Sequence, residues 1–322
     1  MIRAGLLTAA LLLDVGSLAP ALAQDTFPSR PIQVVITSTA GSTSDVLTRM
    51  LSPELSRDLG QPIVVVAKPS ATGTIGADFA RRAAPDGYTL FLGGNTTMAA
   101  NVHLVKNLNY DPIRDFEPIS QVTINPLLLV VRSNLPIRSV TDLIAYAKAR
   151  PGQLNYGFGN SGGKIAVDLL KSMAGFDAQE VAFKGASQAL LDVVGGRLEF
   201  MVVDPVVADP HVRSGALRAL AITSTQRLPS MPDIAPMAEA GVAGYDYASF
   251  LGYYAPKGTP PAVVQRLNQA FVRAIASKEA QDFFARMGMI GLSSTPAQLR
   301  TFNEQQIENW GRLVRIAKLE PQ

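Results

Sequence analysis

The sequence predicts an α/β protein of two units, each a parallel sheet with helices on its faces. Three observations predict it. Short β-branched runs alternate with helical segments, and the alternation occurs twice along the chain. Two apolar stretches, around 119–131 and 245–255, fall where the chain must pass from one unit to the other and back. The length, 322 residues, suits two ordinary domains, and 47% hydrophobic with 17% charged residues is the composition of a folded globular protein.

The first unit opens with the strand IQVVI (32–36), the polar loop TSTAGSTSD and the helix VLTRMLSPELSRDLG, which Pro53 should kink or divide. The strand IVVVA (63–67), the loop KPSATGTIG, a helix through Arg82 and the strand YTLFLG (88–93) follow. The second unit begins after FEPISQVTINPLLLVVR. Ser139 and Asp142 form a capping box that opens a helix ending at Arg150, before Pro151 and Gly152. Next come the weak strand LNYGF, a Gly/Ser loop and a helix to Gly175. The stretch EVAFKGASQALLDVVGGRLEFMVVDP reads as strand, loop, helix, turn and strand, and LRALAIT as a further strand.

Beyond GYDYASFLGYYAPKGTP the chain turns helical. Thr259 before Pro260 is a candidate N-cap with proline at the first helical position, and Thr295, Pro296 and Gln298 repeat the device. In the last helix Leu299, Phe302, Ile307, Trp310 and Val314 share one face, a core stripe. Tyr245, Tyr247, Phe250, Tyr253 and Tyr254 fit a crossing strand with half its residues buried. An aromatic solute flanked by them is the alternative. Two lobes joined by two strands form a hinge that suits closure over a ligand.

The N-terminus has the form of a signal peptide. Arg3 precedes the apolar run from Leu6 to Leu13, and Ala21-Leu22-Ala23 supplies a small-x-small cleavage site, which places the mature N-terminus at Gln24. An exported, periplasmic protein is expected. There is no Cys, which excludes disulfides, a lipid-anchoring cysteine, thiol nucleophiles and zinc–thiolate sites. The longest apolar run beyond the signal, Leu127 to Val131, falls far short of the ~18 residues of a membrane span. Net charge is +3, and loss of Arg3 and Asp14 with the signal leaves it unchanged. Basic residues are scattered rather than clustered with aromatics, so no nucleic-acid face is expected. With two His and no H-E-x-x-H or EF-hand pattern, neither a metal nor another cofactor is expected.

The stretch YGFGNSGGK (156–164) carries three patterns at once. Gly159, Ser161 and Gly163 spell the nucleophile elbow G-x-S-x-G. A hydrolase with Ser161 as nucleophile then needs an acid and a His downstream, and only His211 follows, 50 residues on, with Asp192 and Asp204 between. Gly157, Gly159 and Gly162 spell the dinucleotide fingerprint, with Glu180 18 residues beyond. However, LNYGF is a poor core strand and a capped helix precedes it. The third pattern is a helix start whose free N–H groups face an anion, with Ser161 adding a hydroxyl and Lys164 a charge. STAGSTSD in the first unit has the same form, and two such loops on opposing lobes could clamp one carboxylate. Simple capping and turn roles would leave the same residues.

The sequence resembles the extracytoplasmic solute receptors of tripartite tricarboxylate transporters, also called the Bordetella uptake gene family. The motifs run in order: FPSRPIQVVI, AGSTSDVLTRML, GQPIVVVAKPSATGTIGADFARRAAPDGYTLFLG, YDPIRDFEPIS, DLIAYAKARPGQLNYG, VAFKGASQALLDVVGGRLEFM, GALRALAITSTQRLPSMPDIAPMAEAG and YYAPKGTP. The resemblance implies a two-domain periplasmic-binding-protein (Venus flytrap) fold, each domain a mixed, mainly parallel sheet flanked by helices. It places domain 1 at 24–124 and 246–322, domain 2 at 125–245, and the cleft between them. It implies a non-enzymatic, monomeric receptor delivering a small mono-, di- or tricarboxylate, aromatic acids included, to membrane permease subunits. A receptor that feeds a signalling pathway is the variant reading. The family's ligand-holding positions fall on Ser42, Thr43, Ser44 and Asp45 and on Asn160, Ser161 and Gly162, with Lys184 and Asp204 approaching the cleft. Two departures lie in these loops: ITSTAGSTSD lacks the family's Pro and Phe, and Lys164 stands where His is common. Lys164 is expected to pair with a second carboxylate of the ligand.

Overall fold

The computed structural model describes residues 27–70, 72–183, 185–316 and 320–321. The expected signal peptide and Lys184 lie outside the described residues. The chain runs β1 (Ile32–Ile36), α1 (Thr43–Leu59), β2 (Ile63–Ala67), α2 (Thr74–Arg81), β3 (Thr89–Gly94), a π-helical turn (Thr96–Ala100) and α3 (Asn101–Leu104). Strand β4 (Phe116–Pro126) then passes at Leu127 into β5 (Leu128–Arg132). Next are α4 (Val140–Lys148), β6 (Asn155–Phe158), α5 (Ser161–Ala174), β7 (Gln179–Ala182), α6 (Ala186–Val194), β8 (Phe200–Val203), α7 (Pro205–Arg213) and β9 (Leu217–Ile222). The chain returns through β10 (Ala248–Pro256), α8 (Pro261–Ala276), α9 (Lys278–Arg286), β11 (Ile290–Gly291) and α10 (Pro296–Ile316).

These strands form two sheets, ordered β11-β4-β10-β3-β1-β2 and β7-β6-β8-β5-β9. In the first, β1 pairs in parallel with β2 and β3, while β10 runs antiparallel to β3 and β4. In the second, β6 is parallel to β7 and β8, and β5 is antiparallel to β8 and β9. Both are the mixed, mainly parallel, helix-covered sheets of a two-domain Venus flytrap fold. Burial on both faces explains the apolar runs. Ile32, Val34 and Ile36 meet Leu47, Leu51 and Leu55 of α1, whereas Val35 and Phe91 meet Ala77 and Ala80 of α2 and Leu299 of α10.

The passage between sheets is hydrogen-bonded across. The Leu127 N–H donates to Thr223 Oγ1 at 2.7 Å, the Thr223 N–H to the Leu127 carbonyl at 2.9 Å, and the Tyr247 N–H to the Thr223 carbonyl at 2.9 Å. Helix α10 spans the same gap. Leu299 and Phe302 pack on the first sheet, while Trp310, Leu313 and Val314 join the core of the second. The core stripe of the last helix therefore serves two cores in turn.

The expected capping boxes form at Ser139, which accepts from the Asp142 N–H at 3.0 Å, and at Thr295 and Gln298, whose side chains bond each other's N–H groups. Of the two effects expected of Pro53, division does not occur: α1 is continuous from Thr43 to Leu59. Thr259 does not cap α8: its hydroxyl donates to the Pro256 carbonyl at 2.8 Å, and the helix starts two residues later at Pro261. The crossing strand is more than half buried, six of the nine residues of β10, because α8 covers one face and α10 the other, while Tyr245 and Tyr247 precede it and are buried in the core of the second sheet.

Candidate functional site

The carboxyl ends of parallel strands in both sheets meet at a cleft of about 370 Å³. Thr43 and Ser44, the first two residues of α1, line it from one side and Asp204 from the other. Ser42 is the N-cap of α1, accepting from the Asp45 N–H at 3.4 Å and sharing a 2.7 Å hydrogen bond with the Ser38 hydroxyl. Asp45, 4% exposed, accepts from the Gly41 N–H at 2.8 Å and pairs with Arg49 at 2.8 Å. Both residues are engaged in holding the loop. The Thr43 and Ser44 N–H groups have no partner among the described residues, as expected at a helix start.

The wall from the second sheet has the same construction. Asn160 caps α5, its Oδ1 accepting from the Gly163 N–H at 2.8 Å, and Ser161 and Gly162 supply the next two N–H groups. The Ser161 side chain lies outside the described residues. Asn160, Ser161 and Gly162 do not line the 370 Å³ cleft with Thr43, Ser44 and Asp204; they stand at the end of the neighbouring strand. Gly162 lies against Tyr247, whose hydroxyl oxygen is 3.5 Å from where a Cβ on that glycine would be. Burial, with the charge of Asp204 added to it, pushes the Tyr247 phenol far above its ordinary pKa, so it remains a neutral donor.

Close approach explains the glycines that spelled two motifs. A Cβ on Gly159 would fall 2.0 Å from Gly185 C and from Ala186 N, and one on Gly163 would fall 2.7 Å from the Val202 carbonyl oxygen. The β6–α5 loop is thus pressed against the β7–α6 loop and the end of β8, and side chains cannot enter.

Lys164 is a correction. Its ammonium pairs with Asp168, one turn down α5, at 2.9 Å and also with Glu180; both carboxylates accept from the Tyr156 hydroxyl. Burial opposes the ammonium's charge, but the two carboxylates outweigh it and hold its pKa above the ordinary lysine value. The side chain runs along the helix away from Asn160, so it has no free charge to offer a ligand there. No basic side chain lines the cleft among the described residues. Asp204 is the one ionisable group that does, and burial raises its pKa.

Sequence reasoning missed Asn95, and it named Tyr247 only within an aromatic cluster that could flank an aromatic solute. The Asn95 amide clamps β10 at the cleft floor: Nδ2 donates to the Ala248 carbonyl at 3.2 Å and Oδ1 accepts from the Phe250 N–H at 2.6 Å. No local pattern signals a bond across 155 residues. His103 is structural, its Nε2 lying 2.8 Å from the Ile307 carbonyl of α10.

Two α/β lobes with a polar cleft edged by helix N-termini define a solute-binding protein of the periplasmic type. The family model for the tripartite tricarboxylate transporter family receptor, TctC, matches residues 47–319. The chain belongs to that family. It is 33% identical over 308 residues to protein BugT of Bordetella pertussis, covering 95% of this chain and 94% of the relative. Among solved structures, Rpa4515 of R. palustris with adipate is 32% identical with a TM-score of 0.71, covering 92% of this chain and all of that one. A TctC solute-binding protein from Polaromonas without ligand is 26% identical with a TM-score of 0.82, covering 90% of this chain and 99% of that one.

Proposed function

We propose that this protein is a periplasmic receptor that captures a small carboxylate between its lobes and delivers it to a tripartite tricarboxylate-type permease. One observation carries the reading: unpartnered N–H groups of Thr43 and Ser44 at the start of a 17-residue helix face a cleft with no basic side chain. Such a site holds an anion through helix-end amides and hydroxyls rather than by ion pairing. Thr43, Ser44 and Asp204 contact the solute directly, with Asn160, Ser161 and Gly162 closing from the other lobe; Ser42 and Asp45 hold the loop. The moving bodies are 24–124 with 246–322, and 125–245, and residues 1–23 are the export signal. A relative 32% identical that was solved with adipate supports the ligand class.

The test is a thermal-shift panel on residues 24–322 with mono-, di- and tricarboxylates, amino acids and aromatic acids, with ester cleavage followed in parallel. A ligand at 100 times its Kd stabilises the fold by about 2.7 kcal/mol, a shift of several degrees. A selective shift that Thr43→Pro abolishes, without ester cleavage, is the expected result. Ester cleavage lost in Ser161→Ala, with no shift from any acid, would refute the receptor.

A further inference from the structure

The cleft has a charge pattern that a plain polycarboxylate does not match. Its carboxylate-holding side, the start of α1, is formed by amides and hydroxyls that carry only the fractional positive charge of a helix end. Opposite stands Asp204, the single ionisable side chain among the lining residues. Asp204 occupies the N-cap position of α7 yet makes no capping hydrogen bond, and it forms no salt bridge with any described residue. Its charge adds to the burial that raises the pKa of the Tyr247 phenol, itself a hydrogen-bond donor beside Gly162.

A buried carboxylate with no cationic partner and acceptor capacity beyond its own backbone N–H, placed in a ligand cleft, is matched by a donor on the ligand. A solute fixed by one carboxylate on α1 reaches across toward this anion with its other end. If that end is a second carboxylate, like charges face each other with no basic side chain nearby, and the repulsion is strong where water is excluded. If it is an ammonium, the opposite end makes a charge-assisted hydrogen bond and the cleft loses its unpaired charge.

We propose that the solute is an amino-carboxylate, held by its carboxylate at Thr43 and Ser44 and by its ammonium at Asp204. The inference rests on the carboxylate-receptor reading and adds to it the second recognition element. It separates this chain's selectivity from that of the relative solved with adipate.

Matched pairs isolate the second group. Adipate and 6-aminohexanoate, and succinate and 4-aminobutanoate, differ chiefly in one terminal group, and calorimetric titration at pH 7.5 gives their Kd values on the full mature chain. The amino member of at least one pair should bind at least tenfold more tightly than its diacid. Asp204→Asn should remove that preference by weakening the amino acid at least tenfold, without weakening the diacid. Diacids that bind wild type as tightly as their amino partners, or a preference that survives Asp204→Asn, would overturn the inference and leave the carboxylate receptor standing. If neither pair nor any other acid of the panel binds, the receptor reading falls, and this inference with it. The wild-type comparison decides the matter even if the Asn variant folds poorly.

Discussion

Gly159 and Gly162 lie three residues apart in the loop that feeds α5, and the structure assigns them opposite tolerances. In Gly159→Ala the new methyl would lie 2.0 Å from two backbone atoms, Gly185 C and Ala186 N. Ordinary contact begins near 3.4 Å, so the two loops must part by about 1.4 Å. Backbone cannot rotate aside as a side chain can, which puts the cost at or above the upper end of overpacking, about 3 kcal/mol. In Gly162→Ala the methyl would meet Asn160 Oδ1 at 3.4 Å and the Tyr247 hydroxyl at 3.5 Å, both ordinary contacts. Because Gly162 is already helical, alanine there gains up to about 1 kcal/mol of helix propensity. Urea unfolding with a shared m-value measures both. Gly159→Ala should lose about 3 kcal/mol or more, and Gly162→Ala should stay within about 1 kcal/mol of wild type while binding solute more weakly beside Tyr247. A Gly159→Ala protein as stable as wild type, or equal destabilisation in both variants, would refute the packing argument.

Three further variants test other parts of the molecule. Lys164→Met strips Asp168 and Glu180 of their shared cation, so thermal unfolding should show a loss of stability while the relative affinities for mono- and dicarboxylates stay the same. Asp204→Asn should raise Tm at neutral pH. Burial lifts the native pKa of Asp204 above the ordinary 3.8, so between those values the native state holds more protons than the unfolded chain, and stability falls as pH rises through that window. The gain from Asn is therefore full above the window and vanishes below the ordinary aspartate pKa, which a Tm series against pH will trace. Trp310→Ala empties a site 7% exposed in the core of the second sheet and should cost about 3–5 kcal/mol by chemical denaturation, with α10 loosened from that lobe.

The strand–helix order was legible because β-branched runs such as IQVVI and IVVVA are too short for helices and are bounded by Gly, Ser and Thr. The Ser139 and Thr295 caps were legible because a capping box is local in sequence. The start of α8 was misplaced by one residue because threonine before proline also closes a turn, and Thr259 does so through the Pro256 carbonyl. Of the candidate site, the helix starts at Thr43, Ser44 and Asn160 were legible, because a polar loop between a strand and a helix is a local pattern. It was not legible where distant chain segments meet. Lys164 had a visible partner four residues on in Asp168, but Glu180 is brought in by β-pairing and converts a free charge into a neutralised one. Gly159 looked like a nucleotide or hydrolase glycine because the Gly185–Ala186 backbone that excludes its side chain is 26 residues away.

The claim that the lobes close over the solute is tested most directly by a distance across the cleft mouth. The chain has no Cys, so Thr72→Cys, on the loop before α2, and Ser187→Cys, in the first turn of α6, both exposed and one on each lobe, give a doubly spin-labelled protein with no background thiol. Pulsed dipolar spectroscopy should show the distance distribution shift to shorter values on saturation with the acid that stabilises the protein, and not with an acid that leaves Tm unchanged. A distribution unchanged at saturation would contradict closure.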